Sequence, residues 1–285
     1  MNTIKRVGVV GAGTMGNGIA QVFAHHKYGV TLVELDEQLL ERGLSGIKRS
    51  LERVEKKGRL EPETVDSVLG RIQGSTALSD LAGCDLVVEA ITENEEIKRG
   101  LFRELDRLLP EHAILASNTS SISITALAAA TSRPDRVIGM HFMNPVPVMK
   151  LVEVIRGLDT SDETLAAVKQ TAETLGKIPV ESNDYPGFVA NRVLMPMINE
   201  AAFALMEGVA GADAIDDIIK LGLAHPMGPL RLADLIGLDV CLSILQVLHR
   251  ELGDSKYRPC PLLKRLVAAG HLGNKTGRGF HVYEA

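Results

Sequence analysis

The stretch Val7–Gly18, VGVVGAGTMGNG, decides the fold class of this chain. It opens with an apolar run rich in β-branched residues and continues with Gly11, Gly13 and Gly16 in the spacing G-x-G-x-x-G. Apolar residues at helical spacing follow from Ile19 onward. A buried strand, a tight turn and a helix form the context in which this glycine pattern binds a dinucleotide. We therefore predict a Rossmann-type nucleotide site at the start of the chain.

Each glycine of this turn has a separate expected role. Gly11 permits the tight turn, Gly13 leaves room for a pyrophosphate against the backbone, and Gly16 lets the helix pack close to the strand. The phosphates would lie on the free N–H groups at the helix N-terminus.

A second apolar strand, Val30–Val33, ends at Glu34, 18 residues after Gly16. An acidic side chain there can accept hydrogen bonds from a ribose diol and would repel a 2′-phosphate. No arginine follows Glu34 until Arg42, so the pattern favours NAD over NADP. The alternative is a purely structural βαβ unit with an incidental surface glutamate.

Composition excludes several classes of protein. The 285 residues suggest one large or two ordinary domains, and 45% hydrophobic residues can form a substantial core. No apolar run approaches the length of about 18 residues that a membrane span needs, and the net charge of −5 argues against nucleic-acid binding. Cys84, Cys241 and Cys260 are scattered without a C-x-x-C pair, which favours packed thiols, a cytoplasmic location and no metal site.

The alternation of apolar strands and amphipathic helices up to Glu181 predicts an α/β fold with a mostly parallel, doubly wound sheet. Within it, 74–78 reads as a weak strand, and Thr160 with Glu163 as a capping box. A turn cluster begins at Asp184, and the pattern beyond it is helical. We predict a Rossmann domain over 1–184 and an all-helical C-terminal domain over 185–285. The helix from Phe188 to about 207 is apolar on too many sides for a surface helix, which predicts the centre of that domain and a dimer contact.

Polar residues follow two of the predicted strands. Glu93 lies beyond the strand 85–90, and Asn118 and Ser120 lie beyond the strand 113–116. In an open parallel sheet ligands bind outside the carboxyl ends of the strands, so these residues share an edge with the glycine turn. The alternative for the serine run is helix capping. The two roles are compatible because they use different serines.

A histidine and a glutamate lie at equal distances from a proline turn. The strand 136–142 ends near His141, the segment 144–147 cannot continue it, and 151–155 resumes a strand pattern. A fold-back centred on Pro147 pairs His141 with Glu153. A slip of one residue would turn Glu153 to the opposite face. A single histidine is most often a packed or surface residue, but opposite a carboxylate near a nucleotide site it is better explained as a catalytic dyad.

Two basic segments have open interpretations. Arg49, Arg53 and Lys57 share one face of the helix predicted over 37–57, which suggests either an anionic partner such as phosphates or a solvated face. The tail 274–280 is a basic, glycine-rich loop that either reaches a cofactor or closes the chain.

Four motifs beside the glycine turn carry a family resemblance: NTSS at 118–121, HFMNPVPVMKLVEV at 141–154, YPGFVANR at 185–192 and NKTGRGF at 274–280. With them the chain resembles the 3-hydroxyacyl-CoA dehydrogenases, and among these the short bacterial enzymes acting on 3-hydroxybutyryl-CoA. The resemblance covers nearly the whole chain. A small departure is Glu34, where many relatives have aspartate.

The resemblance implies a role for each matching residue. His141 would be the catalytic base, Glu153 its orienting partner, and Ser120 and Asn191 hydrogen-bond donors at the substrate oxygen. The implied NAD contacts are Gly11, Gly13, Thr14, Met15, Gly16, Glu34, Glu93, Lys98, Asn118, Ser120, Asn144 and Lys275. The implied acyl-CoA contacts are Ser50, Lys57, Ser120 and Asn191, which favours phosphate binding by the basic helix.

The expected reaction is reversible hydride transfer between NAD and a short-chain 3-hydroxyacyl-CoA, with acetoacetyl-CoA as the keto form. Because Asn191 belongs to the helical domain, the site is expected to assemble between the domains of a homodimer subunit. Two rivals remain: an NAD-dependent sugar-acid dehydrogenase of the L-gulonate type, and a non-catalytic NAD-binding structural protein. The intact set of catalytic residue types argues against the second.

Overall fold

The computed structural model of the protein describes residues 4–58, 60 and 62–284. The chain divides after Asp184 into two compact units. Within the described residues no single helix meets the length and hydropathy required to cross a membrane, although α9 (Pro229–Ile236) and α10 (Leu238–Leu252), bent by 99°, meet them as a pair.

The first unit is built on one eight-stranded sheet with the order β3-β2-β1-β4-β5-β6-β7-β8. All neighbouring strands are parallel except β6 and β7. This topology confirms the predicted Rossmann-type, mostly parallel sheet. The strands are β1 Arg6–Val10, β2 Gly29–Val33, β3 Ile72–Ser75, β4 Leu86–Glu89, β5 Ile114–Ser117, β6 Val137–Phe142, β7 Leu151–Arg156 and β8 Ile178–Asn183.

Most helices of this unit begin at a polar side chain that caps the first turn. The capping residues Asp36, Thr64, Asn94, Ser123 and Ser161 each accept a backbone N–H three residues later. The first helix begins at Gly13 without such a cap. The helices are α1 Thr14–His25, α2 Glu37–Glu55, α3 Val65–Leu69, α4 Glu95–Leu108, α5 Ile124–Ala128 and α6 Asp162–Thr174.

The structure corrects two predictions of local structure. Ser161, not Thr160, caps α6, because the Thr160 hydroxyl donates to the carbonyl of Val137 and accepts the N–H of Gly157. The weak strand predicted over 74–78 lies earlier, at Ile72–Ser75, because it follows the register of β2. In both cases neighbouring residues are about equally suited to the local structure, and a contact with a distant segment determines which of them adopts it.

The second unit is helical, as predicted. Its core forms around α7, whose Met195, Ile198, Ala201 and Ala202 are buried. α7 packs against α9, α10 and α11, so the long apolar helix is central to this unit. The helices are α7 Ala190–Met206, α8 Ala212–Asp217 with a following π-helical turn Ile218–Gly222, α9, α10 and α11 Pro261–Ala268.

Candidate active site

The glycine turn has the backbone geometry that its sequence predicts. Gly11 adopts a φ of +100°, and its N–H donates to the carbonyl of Val33. A Cβ added to Gly16 would lie 1.8 Å from the Gly11 carbonyl oxygen, so α1 packs directly on the turn. A Cβ on Gly13 would meet no atom within 4 Å. The approach to the helix N-terminus is therefore open at Gly13 alone of the three.

Glu34 lies at the end of β2 beside this turn. Its carboxylate accepts hydrogen bonds from the backbone N–H of Ala12 at 3.0 Å and of Leu35 at 2.9 Å. It lines a cleft of about 220 Å³ together with Gly13, Thr14 and Arg42. An open helix N-terminus and a fixed carboxylate are the groups that bind a pyrophosphate and a ribose diol. The residues present therefore fit a nicotinamide dinucleotide.

His141 and Glu153 face each other across the antiparallel pair β6–β7. The register pairs them directly, which confirms the fold-back predicted about Pro147. His141 Nδ1 lies 3.0 Å from Glu153 Oε2, and both side chains are buried. Because a carboxylate only accepts hydrogen bonds, Nδ1 carries the proton, and the neutral ring has its lone pair on Nε2. The pair therefore has the arrangement of an oriented general base.

The strand ends next to His141 are joined by Asn118. Its side-chain oxygen accepts the backbone N–H of Phe142 at 2.9 Å. The backbone N–H of Asn118 donates to the carbonyl of Glu89. Asn118 thus links β4, β5 and β6 at the carboxyl edge of the sheet. Asn144 lies in the exposed turn that follows β6.

Glu93 holds the loop that carries Ser120. Its Oε1 accepts the Ser120 N–H at 2.9 Å and the Ser120 hydroxyl at 3.1 Å, and Thr119 and Ser121 donate to the same oxygen. Desolvation opposes ionisation of Glu93, but the Lys98 ammonium and these hydrogen bonds outweigh it and keep the pKa of the carboxyl below its usual value. Glu93 and Ser120 therefore form one unit, as their shared edge predicts.

The Lys98 side chain is buried more deeply than a side chain that contacts a cofactor from the protein surface. Its side chain is 1% exposed, and its ammonium lies 2.5 Å from Glu89 Oε1 and 3.4 Å from Glu93 Oε2. Sequence reasoning did not single out Glu89. The available signal was an acidic residue inside the apolar strand pattern DLVVEA, because a buried carboxylate needs a partner.

The implied acyl-CoA contacts Ser50 and Lys57 line a second, larger cleft of the first unit, of about 710 Å³. None of the described residues that line it is acidic. Its basic and histidine side chains are His25, His26, Arg53, Lys57, Lys150 and Lys177. The helix predicted to reach Lys57 ends at Glu55, so Arg53 of α2 and Lys57 in the following turn line the cleft, whereas Arg49 does not. Because the described part of the lining holds cationic side chains and no acidic residue, the cleft has an electrostatic character that suits phosphates.

Lys177 fixes one wall of this second cleft. It is buried, and its ammonium donates to the carbonyls of Val146 and Met149 in the turn between β6 and β7. Burial lowers the pKa of the Lys177 ammonium. The turn after His141 is thus held by a cation with two backbone acceptors.

Two of the implied residues belong to the second unit. Asn191 is the second residue of α7 and is buried. Lys275 is exposed, and its ammonium lies 2.6 and 2.7 Å from the two carboxylate oxygens of Asp239. Their roles toward cofactor and substrate stay predictions.

Comparison with known proteins gives consistent matches along the whole chain. A model of the 3-hydroxyacyl-CoA dehydrogenase NAD-binding domain matches residues 6–185, and a model of the 3-hydroxyacyl-CoA dehydrogenase C-terminal domain matches residues 187–283. A probable 3-hydroxybutyryl-CoA dehydrogenase of Deinococcus radiodurans is 58% identical over 98% of this chain and 100% of the relative. A 3-hydroxybutyryl-CoA dehydrogenase of Bradyrhizobium diazoefficiens is 55% identical over 98% and 96%.

A solved structure shows the same architecture. The (S)-3-hydroxybutyryl-CoA dehydrogenase of Ralstonia eutropha has a TM-score of 0.95 and 53% sequence identity to this chain. The match covers 99% of this chain and 100% of that one.

Proposed function

The chain belongs to the 3-hydroxyacyl-CoA dehydrogenase family, and on that basis we propose that it interconverts 3-hydroxybutyryl-CoA and acetoacetyl-CoA with NAD. The observation that carries the proposal is the buried His141–Glu153 pair. β6 runs parallel to β5, β4 and β1, so His141 lies toward the sheet edge at which the glycine turn begins. A general base and a dinucleotide fingerprint at one edge are the parts that alcohol oxidation requires.

In the proposed mechanism His141 takes the hydroxyl proton of the 3-hydroxyacyl group through Nε2, and returns a proton to the oxygen in the reverse direction. Glu153 keeps Nδ1 protonated and stabilises the imidazolium that forms. Asn191 and Ser120 donate hydrogen bonds to the oxygen, where negative charge builds as the ketone is reduced. The single hydroxyl proton of Ser120 is donated to Glu93 in the structure, so in the proposed mechanism it turns from Glu93 to the substrate oxygen. Bound NAD supplies the hydride acceptor.

The proposed NAD site begins at the glycine turn, where α1 offers its N-terminus to the pyrophosphate and Glu34 accepts from the adenosine ribose. Glu93, Asn118 and Ser120 complete it at the ends of β4 and β5, with Asn144 after β6. Lys98 of α4 is buried, so its proposed part in the site is exerted through its ion pair with Glu93. Lys275 is the contribution proposed for the second unit.

Turnover of acetoacetyl-CoA tests the proposed substrate. We expect the purified protein to oxidise NADH with acetoacetyl-CoA, followed by absorbance at the NADH band, and to prefer NADH over NADPH because Glu34 repels a 2′-phosphate. Longer 3-ketoacyl-CoAs in parallel measure chain-length preference. NAD-dependent oxidation of L-gulonate without turnover of acetoacetyl-CoA would select the sugar-acid rival, and silence with every substrate would select a non-catalytic protein.

The large basic cleft is the proposed site of the CoA phosphates. It is lined by Ser50 of α2, by Lys57 in the turn after α2, and by Lys150 and Lys177. Cationic side chains without an acidic neighbour among the described lining residues favour a polyanion. The cleft is thus proposed to bind the part of the substrate that does not react.

The substitution Lys57→Glu tests this assignment. We expect it to raise KM for acetoacetyl-CoA by about tenfold, because one attractive charge at the exposed position 57 becomes repulsive, and to leave KM for NADH unchanged. Steady-state kinetics with each substrate varied gives both constants. The matched control is Lys48→Glu on α2, since Lys48 is also exposed and does not line the cleft. Equal KM values for the two variants would remove Lys57 from the site.

We further propose a homodimer formed through the second unit. Several of its large apolar side chains are exposed, notably Val209, Ile218, Leu221, Leu223 and Leu235, and an association surface would cover such side chains. The proposed location is the cytoplasm, where unpaired thiols such as the buried Cys84, Cys241 and Cys260 persist.

A further inference from the structure

The Glu89 carboxylate is a buried centre of hydrogen bonding at the end of β4. Its side chain is completely buried. Oε1 accepts the Lys98 ammonium at 2.5 Å and the Ile91 N–H at 2.8 Å, and Oε2 accepts the Ser117 hydroxyl at 2.6 Å. An ionised carboxylate in the interior is costly unless donors compensate it. Here both oxygens have close donors, one of them a cation.

Two routes of contacts lead from Glu89 to the loop at 119–121. Glu89 and Ser117 are register partners on β4 and β5, and the Ser117 hydroxyl oxygen accepts the Thr119 N–H at 3.1 Å. On the second route, the Lys98 ammonium also pairs with Glu93, whose Oε1 accepts both donors of Ser120. The two routes hold the loop from its start and from its middle.

We propose that Glu89 is a positioning residue for the dehydrogenase reaction, whose buried carboxylate fixes the Ser120 loop through Ser117 and through Lys98 and Glu93. The proposal rests on the role proposed above for Ser120 as a donor to the substrate oxygen. Glu89 itself is fully buried and therefore acts through these neighbours, not by contact with substrate.

The charge and the two acceptor oxygens of Glu89 both matter. A glutamine of the same shape has one acceptor oxygen and one NH₂ group. If that oxygen serves Lys98 and Ile91, the NH₂ group faces Ser117, whose hydroxyl proton loses its acceptor. The Lys98 ammonium then loses one of its two carboxylate partners. Glu89→Gln therefore loosens both routes while preserving side-chain volume.

The kinetic test is a double-variant cycle between Glu89→Gln and Ser120→Ala. We expect Glu89→Gln to lower kcat for acetoacetyl-CoA by about tenfold to a hundredfold, the range for displacement of a group at the reacting centre. In the Ser120→Ala background the same substitution should lower kcat by less than about threefold, because the positioned group is absent. Independent losses that multiply would overturn the proposal, and so would an unchanged kcat in Glu89→Gln or in Ser120→Ala.

The matched control is Asp106→Asn, at the other end of α4. Asp106 accepts hydrogen bonds from the Ser132 N–H and from Arg133 Nε, so it is an anchored carboxylate without contact to the Ser120 loop. We expect this variant to lower Tm and to keep kcat. A loss of kcat equal to that of Glu89→Gln would show that any weakened anchor of α4 has the same effect.

Amide hydrogen exchange gives a readout that does not depend on activity. In Glu89→Gln we expect faster exchange of the N–H groups at 119–121 by at least about tenfold, and no change there in Asp106→Asn. This result would support the positioning role even if acetoacetyl-CoA were not the substrate. Should Glu89→Gln fail to fold, Ser117→Ala breaks the first route alone and should also accelerate exchange at Thr119. Unchanged exchange in every foldable variant would overturn the proposal.

Discussion

Replacement of His141 by glutamine is expected to lower kcat for acetoacetyl-CoA by about 10²–10⁴-fold, the range for loss of a general acid–base. Glutamine approximates the imidazole in size and can still donate toward Glu153, but it cannot exchange a proton at neutral pH. Binding of NADH, measured by fluorescence titration, should stay within about threefold of wild type because the glycine turn and Glu34 are untouched.

A second histidine provides the control for this experiment. His112 also pairs with a carboxylate, Asp85 at 3.3 Å, but its side chain is 44% exposed. His112→Gln should keep kcat and Tm. If His141→Gln keeps more than about a tenth of the wild-type kcat, His141 is not the base.

Gly16→Ala is expected to destabilise the first unit and abolish NADH binding. The new methyl group would lie 1.8 Å from the Gly11 carbonyl oxygen and 2.8 Å from the carbonyl carbon. Both atoms are backbone, so α1 and the turn must separate. The substitution should lower the free energy of unfolding by about 3 kcal/mol or more, the upper end of the range for overpacked cores. Urea unfolding measures the stability, and fluorescence titration the binding.

Gly13→Ala is the comparison that separates folding from binding. No atom lies within 4 Å of the added methyl group, and Gly13 has φ −66° and ψ −170°, which alanine also adopts. The variant should fold with a Tm near wild type and still bind NADH more weakly, because the methyl group occupies the approach of the pyrophosphate. A folded Gly16→Ala with normal NADH affinity would contradict the proposed architecture of the turn.

The parts of this protein that can be predicted from sequence are those in which a local pattern is compatible with one structure. Alternating strand and helix patterns allow few topologies. A fold-back centred on Pro147 predicts the register that pairs His141 with Glu153, because the turn of a hairpin sets its register. Glu34 and the glycines are neighbours in a motif whose spacing encodes its geometry.

The remaining features depend on contacts between distant segments. Thr160 and Ser161 are both good caps, and the hydrogen bonds of the Thr160 hydroxyl to Val137 and Gly157 decide between them. Arg53 of α2 and Lys57 after it line the same cleft as residues of the segment 145–150, and helix periodicity does not show that these distant segments meet. Glu89, Lys98 and Ser117 come from three elements, and sequence patterns do not show that their side chains meet.

The antiparallel pairing of β6 and β7 has a consequence for motion during turnover. His141 and Glu153 are directly paired on one main-chain ladder inside a continuous sheet, and such a ladder has no hinge of its own. Under the proposed mechanism, rearrangements during each catalytic cycle therefore take place outside this ladder, and the imidazole stays in position.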